Sequence, residues 1–461
     1  MDKYKRLISN TFIFAIAAFA SKLLIFFMMP YYTRVMSTED YGIADILVQT
    51  CNLLIPFATI GINNAVIRFG LDKKSNKQGV FTIGIITIIV GFLIMLLFDS
   101  LIAKVSILDG YRIYLYLFVL ASALHGLCSQ FARAIGYVRF YAVDGIIATA
   151  LVIVLNILFL TAFNWGVKGY IWSTIITDFV CAILVFWGTH LRRYINFKEV
   201  TKKLYYKMLS YCTPLIPNTI CYLIVSISGR YMIAYIIGEA ANGIYAVSNK
   251  IPTILMIVAN IFAEAWQISA VTEEDERERF FTRICSIYQA IAFTTAAILI
   301  ATSQISTRIL AAPEYFEAHR YIPLLVMATT FSCIATFLSS VYMVKKKSIY
   351  TLLTTLLAAL LNIVLNLWLI PRFSITGAAT AMLISYFAMF IVRAFHTRKY
   401  VKIKWNIPRL IINVALLITE IVLMMTMCKH YFVYCIIITI IITSINFREL
   451  VQIIMAKFFN K

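Results

Sequence analysis

Apolar residues in this chain come in runs of about 20, separated by short polar segments that are usually basic. Fourteen such runs fall at roughly 9–30, 41–65, 80–101, 111–132, 140–162, 167–188, 209–229, 243–270, 281–303, 321–344, 349–370, 377–400, 407–427 and 431–447. A run of that length crosses a hydrocarbon core of about 30 Å as an α-helix rising 1.5 Å per residue. The pattern predicts an all-α, polytopic membrane protein of about 14 transmembrane helices. The first run imitates a cleavable leader, because Lys3, Lys5 and Arg6 precede an apolar stretch ending in Ala18-Phe19-Ala20. The apolar character resumes at Leu23 and continues to Met29, long enough to span, so a retained first helix is expected.

Composition agrees with this reading. Of 461 residues 62% are hydrophobic and 13% charged, against about half and about a quarter in soluble domains. Mean hydropathy is +0.87 over the whole chain, which leaves no room for a large soluble domain. The longest loops expected, about 303–320 and 189–206, are too short to fold a catalytic domain. No P-loop, HExxH, GxSxG or hydrolase-type carboxylate pair occurs. Neither an enzyme nor a cofactor or metal is therefore expected, and transport must draw on an ion gradient, the membrane potential or a substrate gradient. The nine cysteines form no CxxC pair and read as small hydrophobes.

The net charge of +20 is chiefly topological. Thirty of the 41 basic residues fall at the termini and in the loops on their side of the membrane, nine fall opposite, and Lys22 and Lys250 lie within runs. The bias places both termini in the cytoplasm and favours contact with anionic lipids. It is not a nucleic-acid footprint, since no basic run is interleaved with aromatics on a soluble surface.

An internal repeat is suggested by short matches. Gly42-Ile43 corresponds to Gly243-Ile244, and Leu155-Asn156-Ile157-Leu158 with Gly166-Val167-Lys168-Gly169 corresponds to Leu365-Asn366-Leu367-Trp368 with Ile375-Thr376-Gly377. Chance likeness among helices punctuated by Gly and Asn is the alternative. The repeat predicts two six-helix halves, 1–188 and 209–400, joined by a basic cytoplasmic linker at 189–208 and followed by two accessory helices within 401–461. Halves with even numbers of spans share one orientation and are related by an axis along the membrane normal, with a solute path expected between them. Pro30, Pro56, Pro214, Pro217 and Pro252 sit in or at the ends of runs 1, 2, 7 and 8, where missing backbone hydrogen bonds permit kinks.

Ionisable residues deep in the runs are the candidate chemistry. A charge in hydrocarbon costs at least about 2.5–3.5 kcal/mol, so such a residue needs a partner or a wet cavity. Lys22 precedes Pro30 by about 12 Å of helix, and snorkelling covers roughly half of that; it is either a cavity cation or an anchor. Asp178 is the deepest carboxylate of the first half and is expected to face a cavity. Asp45 and Asp144, about one turn from a surface, read as solvated helix ends, and His125 as a satisfied packing residue rather than a proton carrier. Lys250 and Glu264 are separated by about 21 Å and lie within about 40° of one helical face, followed by Trp266 and Gln267. Arg34 and Arg230, at matching outer ends of runs 1 and 7, are interfacial anchors or the mouth of a cationic cavity suited to phosphate, which Arg binds through its planar fork. Glu420 lies outside the repeat, toward an accessory groove, and the acidic stretch 273–279 reads as a solvated cytoplasmic loop.

These positions carry a family resemblance. Pro30-Tyr31-Tyr32-Thr33-Arg34-Val35-Met36 followed by Tyr41-Gly42 resembles the first hairpin of bacterial polysaccharide (O-antigen type) flippases, within the multidrug/oligosaccharidyl-lipid/polysaccharide exporter superfamily. Arg133-Ala134-Ile135-Gly136 with Gly166-Val167-Lys168-Gly169 is similar to the family's spans 4 to 6. The stretch from Arg230-Tyr231-Met232-Ile233 through Gly243-Ile244-Tyr245 to Lys250, then Ala265-Trp266-Gln267 and Leu369-Ile370-Pro371 to Gly377-Ala378-Ala379, continues the match over nearly the whole chain. The family often has Asp before the span 7 Arg, whereas here the residue is Gly229, so Arg230 must use another partner or face substrate.

The resemblance implies a flippase of the bacterial cytoplasmic (inner) membrane. It would move an undecaprenyl-diphosphate-linked oligosaccharide from the cytoplasmic to the outer leaflet for surface polysaccharide synthesis, by ion-coupled alternating access. Lys22, Arg34, Arg230 and Lys250 would attract diphosphate or acidic sugar, Trp266 and Gln267 would contact sugar, and Asp178 and Glu264 would couple a proton or sodium ion. Polysaccharide polymerase and glycosyltransferases are the implied partners. The alternatives are a multidrug or cation antiporter and a peptidoglycan lipid-precursor flippase of the same superfamily; a membrane glycosyltransferase or polymerase would need larger outer loops.

Overall fold

A computed structural model of the protein describes residues 24, 26–72, 74–213, 215–272, 277–345, 347, 349–426 and 430–459. Among the described residues there is no β-strand, and ten helices are long and apolar enough to cross a membrane. One of these stretches, Ile349–Lys399, has 51 residues and contains a sharp break. The chain divides into two compact units, Met1–Ile227 and Ser228–Lys461.

The first unit contains helices α1 (Met29–Val35), α2 (Thr38–Thr59), α3 (Ile62–Leu71), α4 (Lys77–Leu97), α5 (Arg112–Ala134), α6 (Val138–Ile157), α7 (Gly166–Gly188) and α8 (Lys202–Cys212). Helix α9 (Leu215–Ile236) carries the division between units. The single run expected at 41–65 is two helices. Pro56 removes a backbone donor, Ile60 and Gly61 both take left-handed conformations (φ 50° and 62°), and the Cys212 thiol donates to the Gly61 carbonyl, fastening the break to α8. Close approach of α2 and α4 depends on Gly91, since a Cβ there would run into the Ala58 carbonyl.

Helix α6 shows the inverted burial of a membrane span. Its buried residues are Asp144, Thr149 and Asn156, while Ile146 and Val154 are exposed. Apolar side chains can face lipid without cost, whereas the polar ones must find partners inside. The segment 189–208, expected as a linker, is an ordered part of the first unit. The Asn196 N–H donates to Thr82 Oγ1 (2.9 Å) and Gln78 Nε2 to the Arg193 carbonyl (3.1 Å), binding it to the start of α4.

The second unit continues with α10 (Glu239–Ser248), α11 (Lys250–Thr272), α12 (Arg277–Ala301), α13 (Ser303–Leu310), α14 (Ile322–Val344), α15 (Ile349–His396), α16 (Ile407–Thr426) and α17 (Tyr431–Phe459). The run expected at 243–270 breaks at Asn249, because Pro252 has no N–H to offer the Ser248 carbonyl; the Asn249 amide donates to the Tyr245 carbonyl there (2.8 Å). Helix α14 is buried almost throughout. Helix α15 is two arms hinged at Ser374 (φ 53°, ψ −138°), and Gly377 is needed because a Cβ would strike the Leu369 carbonyl of the first arm. Helices α16 and α17 are joined by a reciprocal amide pair, Asn413 and Asn446 (3.2 and 3.3 Å).

Candidate functional site

Within the first unit, three adjacent helices bring their ionisable residues to one point. Ser122, His125 and Ser129 recur at spacings of three and four and so share a face of α5. Asp144 projects from α6, and Asp178 with Cys181 from α7. His125 bridges the two acids: Nδ1 lies 3.0 Å from Asp178 Oδ1, and Nε2 lies 3.0 and 3.2 Å from the Asp144 carboxylate oxygens. Ser129 donates to Asp144 Oδ2 (2.8 Å) and Ser122 donates to Asp178. Asp144 is 4% exposed, His125 and Asp178 17% each.

Geometry fixes the number of protons held here. A neutral imidazole has one N–H and one lone pair, so it cannot donate to two carboxylates at once. Either His125 is an imidazolium between two carboxylates, or it is neutral and one aspartate is a carboxylic acid. Both assignments leave a net charge of −1. One further proton, or one monovalent cation held by the acidic oxygens, makes the cluster neutral. The His125, Asp144 and Cys181 ligand atoms also lie within 4.8 Å of one another, a donor set that mixes oxygen, nitrogen and sulfur.

The structure gives Asp178 partners that its sequence position alone did not reveal, and it changes the readings of its neighbours. Asp144 is not a solvated helix end: α6 begins at Val138, two residues before the expected run, and the carboxylate is turned inward. His125 is satisfied, but by two acids rather than by neutral packing. Asp45 is likewise buried.

The candidate substrate contacts are placed as follows. Arg34 is exposed on the last turn of α1. Arg230 is not at a helix end, because α9 continues to Ile236, and it is 7% exposed. Beside it, Ser228 donates to Asn362 Oδ1 (2.7 Å) and Asn366 Nδ2 to the same oxygen (2.9 Å), so amides from α15 border the position where the family often has Asp and this chain has Gly229. Lys250 is the first residue of α11 and half-buried. Glu264, Trp266 and Gln267 lie on the same helix, with side chains outside those described, and Lys22 lies outside the described residues. Glu420 is fully buried and accepts from Thr439 (3.1 Å).

Sequence reasoning missed a buried cation. Arg393, counted with the loops, is 3% exposed. It donates to Thr354 and Thr355 Oγ1 (2.9 Å each) and to the Ala335 carbonyl (2.8 Å), bracing α15 against α14.

The polysaccharide biosynthesis protein family matches residues 7–267. No curated protein matches the sequence. Among solved structures, the lipid II flippase MurJ in an inward closed conformation superposes with a TM-score of 0.74 at 13% identity, covering 98% of this chain and 100% of that one. An inward-facing multidrug resistance MATE family transporter of the MOP superfamily gives 0.64 at 13% identity, covering 82% and 94%. The MATE multidrug transporter DinF-BH in complex with R6G gives 0.63 at 17% identity, covering 87% and 97%. At such identities the likeness concerns the fold, which is that of the MOP exporters.

Proposed function

Because the chain belongs to the polysaccharide biosynthesis protein family, we propose that it is a flippase. It carries an undecaprenyl-diphosphate-linked oligosaccharide from the cytoplasmic to the outer leaflet of the bacterial inner membrane, coupled to a proton or sodium gradient. The observation that carries the coupling is His125 held between Asp144 and Asp178. A cluster of net charge −1 resists full removal from water, and the same cluster neutralised by one proton or one cation does not. Occlusion thereby becomes conditional on ion binding, which is what coupling requires.

On the substrate side, diphosphate is the group that hydrocarbon excludes most strongly, and Lys22, Arg34, Arg230 and Lys250 are the cations proposed to draw it in. Trp266 and Gln267 are proposed sugar contacts, and Glu264 a second coupling acid. The two six-helix halves of 1–188 and 209–400 are proposed as the moving parts, with 401–461 accessory.

Deletion of the gene should cause a lipid-linked glycan to accumulate on the cytoplasmic face. Accumulation of the peptidoglycan lipid precursor instead would transfer the assignment to that substrate. In proteoliposomes carrying a lipid-linked oligosaccharide, an imposed proton or sodium gradient should drive flipping by the wild type and not by Asp178→Asn. Gradient-driven flipping that survives both Asp178→Asn and His125→Gln would remove this cluster from the mechanism. Neutralising Lys22 and Lys250 together should abolish surface polysaccharide while the protein stays in the membrane; normal export would refute the cationic contacts.

A further inference from the structure

We infer that the point where α5, α6 and α7 meet is also a binding site for a divalent transition-metal ion of the zinc class, whether or not the same cluster couples transport. The ligands come one from each helix: Nε2 of His125, the Asp144 carboxylate and Sγ of Cys181, donor atoms that lie within 4.8 Å of one another. No sequence motif joins the three, so Cys181 read as an isolated small hydrophobe. Donor positions, not net charge, define such a site. Bonds of about 2.0–2.2 Å to nitrogen and oxygen and about 2.3 Å to sulfur set the edges of a tetrahedral zinc site at about 3.3–3.8 Å. His125 Nε2 is already near that spacing from the Asp144 oxygens, at 3.0 and 3.2 Å. Cys181 Sγ has at most about 1.5 Å left to close, which a turn about its Cα–Cβ bond supplies.

The groups around these ligands are those a metal site needs. Asp178 stands one turn before Cys181 on the same face of α7 and lies 3.0 Å from His125 Nδ1. A proton on Nδ1, held by Asp178, leaves the Nε2 lone pair directed at the Asp144 side. This carboxylate–histidine–metal arrangement fixes the tautomer and makes the imidazole a better ligand. Ser129 donates to Asp144 Oδ2 (2.8 Å), so Oδ1 is free to take the metal, and Ser122 orients Asp178. The metal then occupies the place between Nε2 and Asp144 that a proton holds in its absence. The donor set selects the ion. Magnesium and calcium take oxygen ligands, whereas imidazole and thiolate together suit zinc or cobalt. Three protein donors leave a fourth position for water or for the second Asp144 oxygen. Cys181 is fully buried, while His125 and Asp178 are each 17% exposed and leave the cluster unsealed on their side.

The test uses the full-length protein in detergent micelles, without a polyhistidine tag, titrated with cobalt(II) alone and then with zinc(II). Cobalt bound through Cys181 gives a thiolate-to-metal charge-transfer band in the near ultraviolet and the strong visible bands of a tetrahedral ion. Zinc should bleach both when one ion per chain has been added. Asp178→Asn should keep the charge-transfer band at saturating cobalt but bind zinc about 10–100-fold more weakly, as expected of a residue that positions a ligand without touching the metal. Cys181→Ser should weaken zinc at least as much and lose the charge-transfer band altogether. Both variants are compared as material that elutes from size exclusion like the wild type, so that loss of the band in one and its retention in the other separates a lost ligand from a lost fold. No charge-transfer band from the wild type, or an undiminished band from Cys181→Ser, overturns the inference.

Discussion

Replacing His125 by Phe removes the group that separates Asp144 from Asp178. With 3.0 Å on either side of the ring and about 2 Å across it, the two carboxylates face each other across at most about 8 Å, a repulsion of about 2 kcal/mol at an effective dielectric constant near 20. Two hydrogen bonds to charged groups are lost as well, at about 1.5–3 kcal/mol each. Proton uptake by one aspartate returns part of this, so the net loss should fall at about 3–5 kcal/mol, the usual cost of orphaning a buried charge. His125→Asn can keep a donor near Asp178 and His125→Gln one near Asp144, so each should lose about half as much. Adding Asp178→Asn to His125→Phe removes one of the repelling charges, and the double variant should be more stable than the sum of the two single losses by about 1–3 kcal/mol. Unfolding of the purified protein in mixed micelles by graded denaturant measures all five. A His125→Phe variant within about 1 kcal/mol of wild type, or strict additivity in the cycle, would refute the view that the three residues act as one charge cluster.

Other expectations rest on single contacts. Gly91→Ala must push α4 off the Ala58 carbonyl and should lose about 1–3 kcal/mol. Gly229→Ala meets only ordinary contacts, 3.6 Å to Tyr245 Oη and 3.7 Å to Ala378 Cβ, and should gain about 0.5–1 kcal/mol from helix propensity; thermal unfolding of the two variants in one detergent gives the signs. Asn413→Leu strands the Asn446 amide between α16 and α17, and should lose about 0.6–1.7 kcal/mol on a double-mutant cycle with Asn446→Leu. His319, in the 3-10 helix Pro313–Arg320, has its imidazole held below the ordinary value by burial, against the opposing hydrogen bond to the Phe316 carbonyl. A depressed folded value means that its contribution to stability is complete above about pH 6.5 and is lost as pH falls through the lower folded value. Amide exchange over 313–321 should therefore accelerate between pH 7.5 and 5.5 in wild type and change less in His319→Gln.

Helix positions were legible because hydrocarbon imposes a minimum apolar length. Helices α4, α5, α7 and α14 begin and end within a few residues of the runs that announce them. Breaks were legible only where a cause is local. Pro252 accounts for the division at Asn249 from sequence alone, but the turn at Ile60 and Gly61 also needs α8, whose Cys212 holds it. Faces were less legible than lengths: a helix apolar nearly all round, such as α6, has no periodicity to say that Asp144 points inward and Val154 outward. Position along the helix axis was a poor substitute, since depth in the membrane does not specify which neighbouring helix supplies a partner.

The ion cluster nonetheless left a trace in the sequence. Ser122, His125 and Ser129 at i, i+3 and i+7 put three polar groups on one face of a membrane helix, and Asp178 with Cys181 repeats the device on α7. Each polar face in hydrocarbon demands a polar counterpart, so two such faces in neighbouring spans raise the expectation that they meet. The cations followed different logic. Arg393 and Arg409 were counted with the loops, and the orientation inferred from 30 residues against nine is insensitive to moving two of them. Their roles, however, depend entirely on burial: Arg393 is solvated by threonine hydroxyls and a carbonyl, while Arg409 fastens α16 to α12 through the Ser286 carbonyl and hydroxyl. A count of charges therefore bears on the orientation of such a chain while saying nothing about its sites, because orientation sums over residues and a site is made by the few that helices bring together.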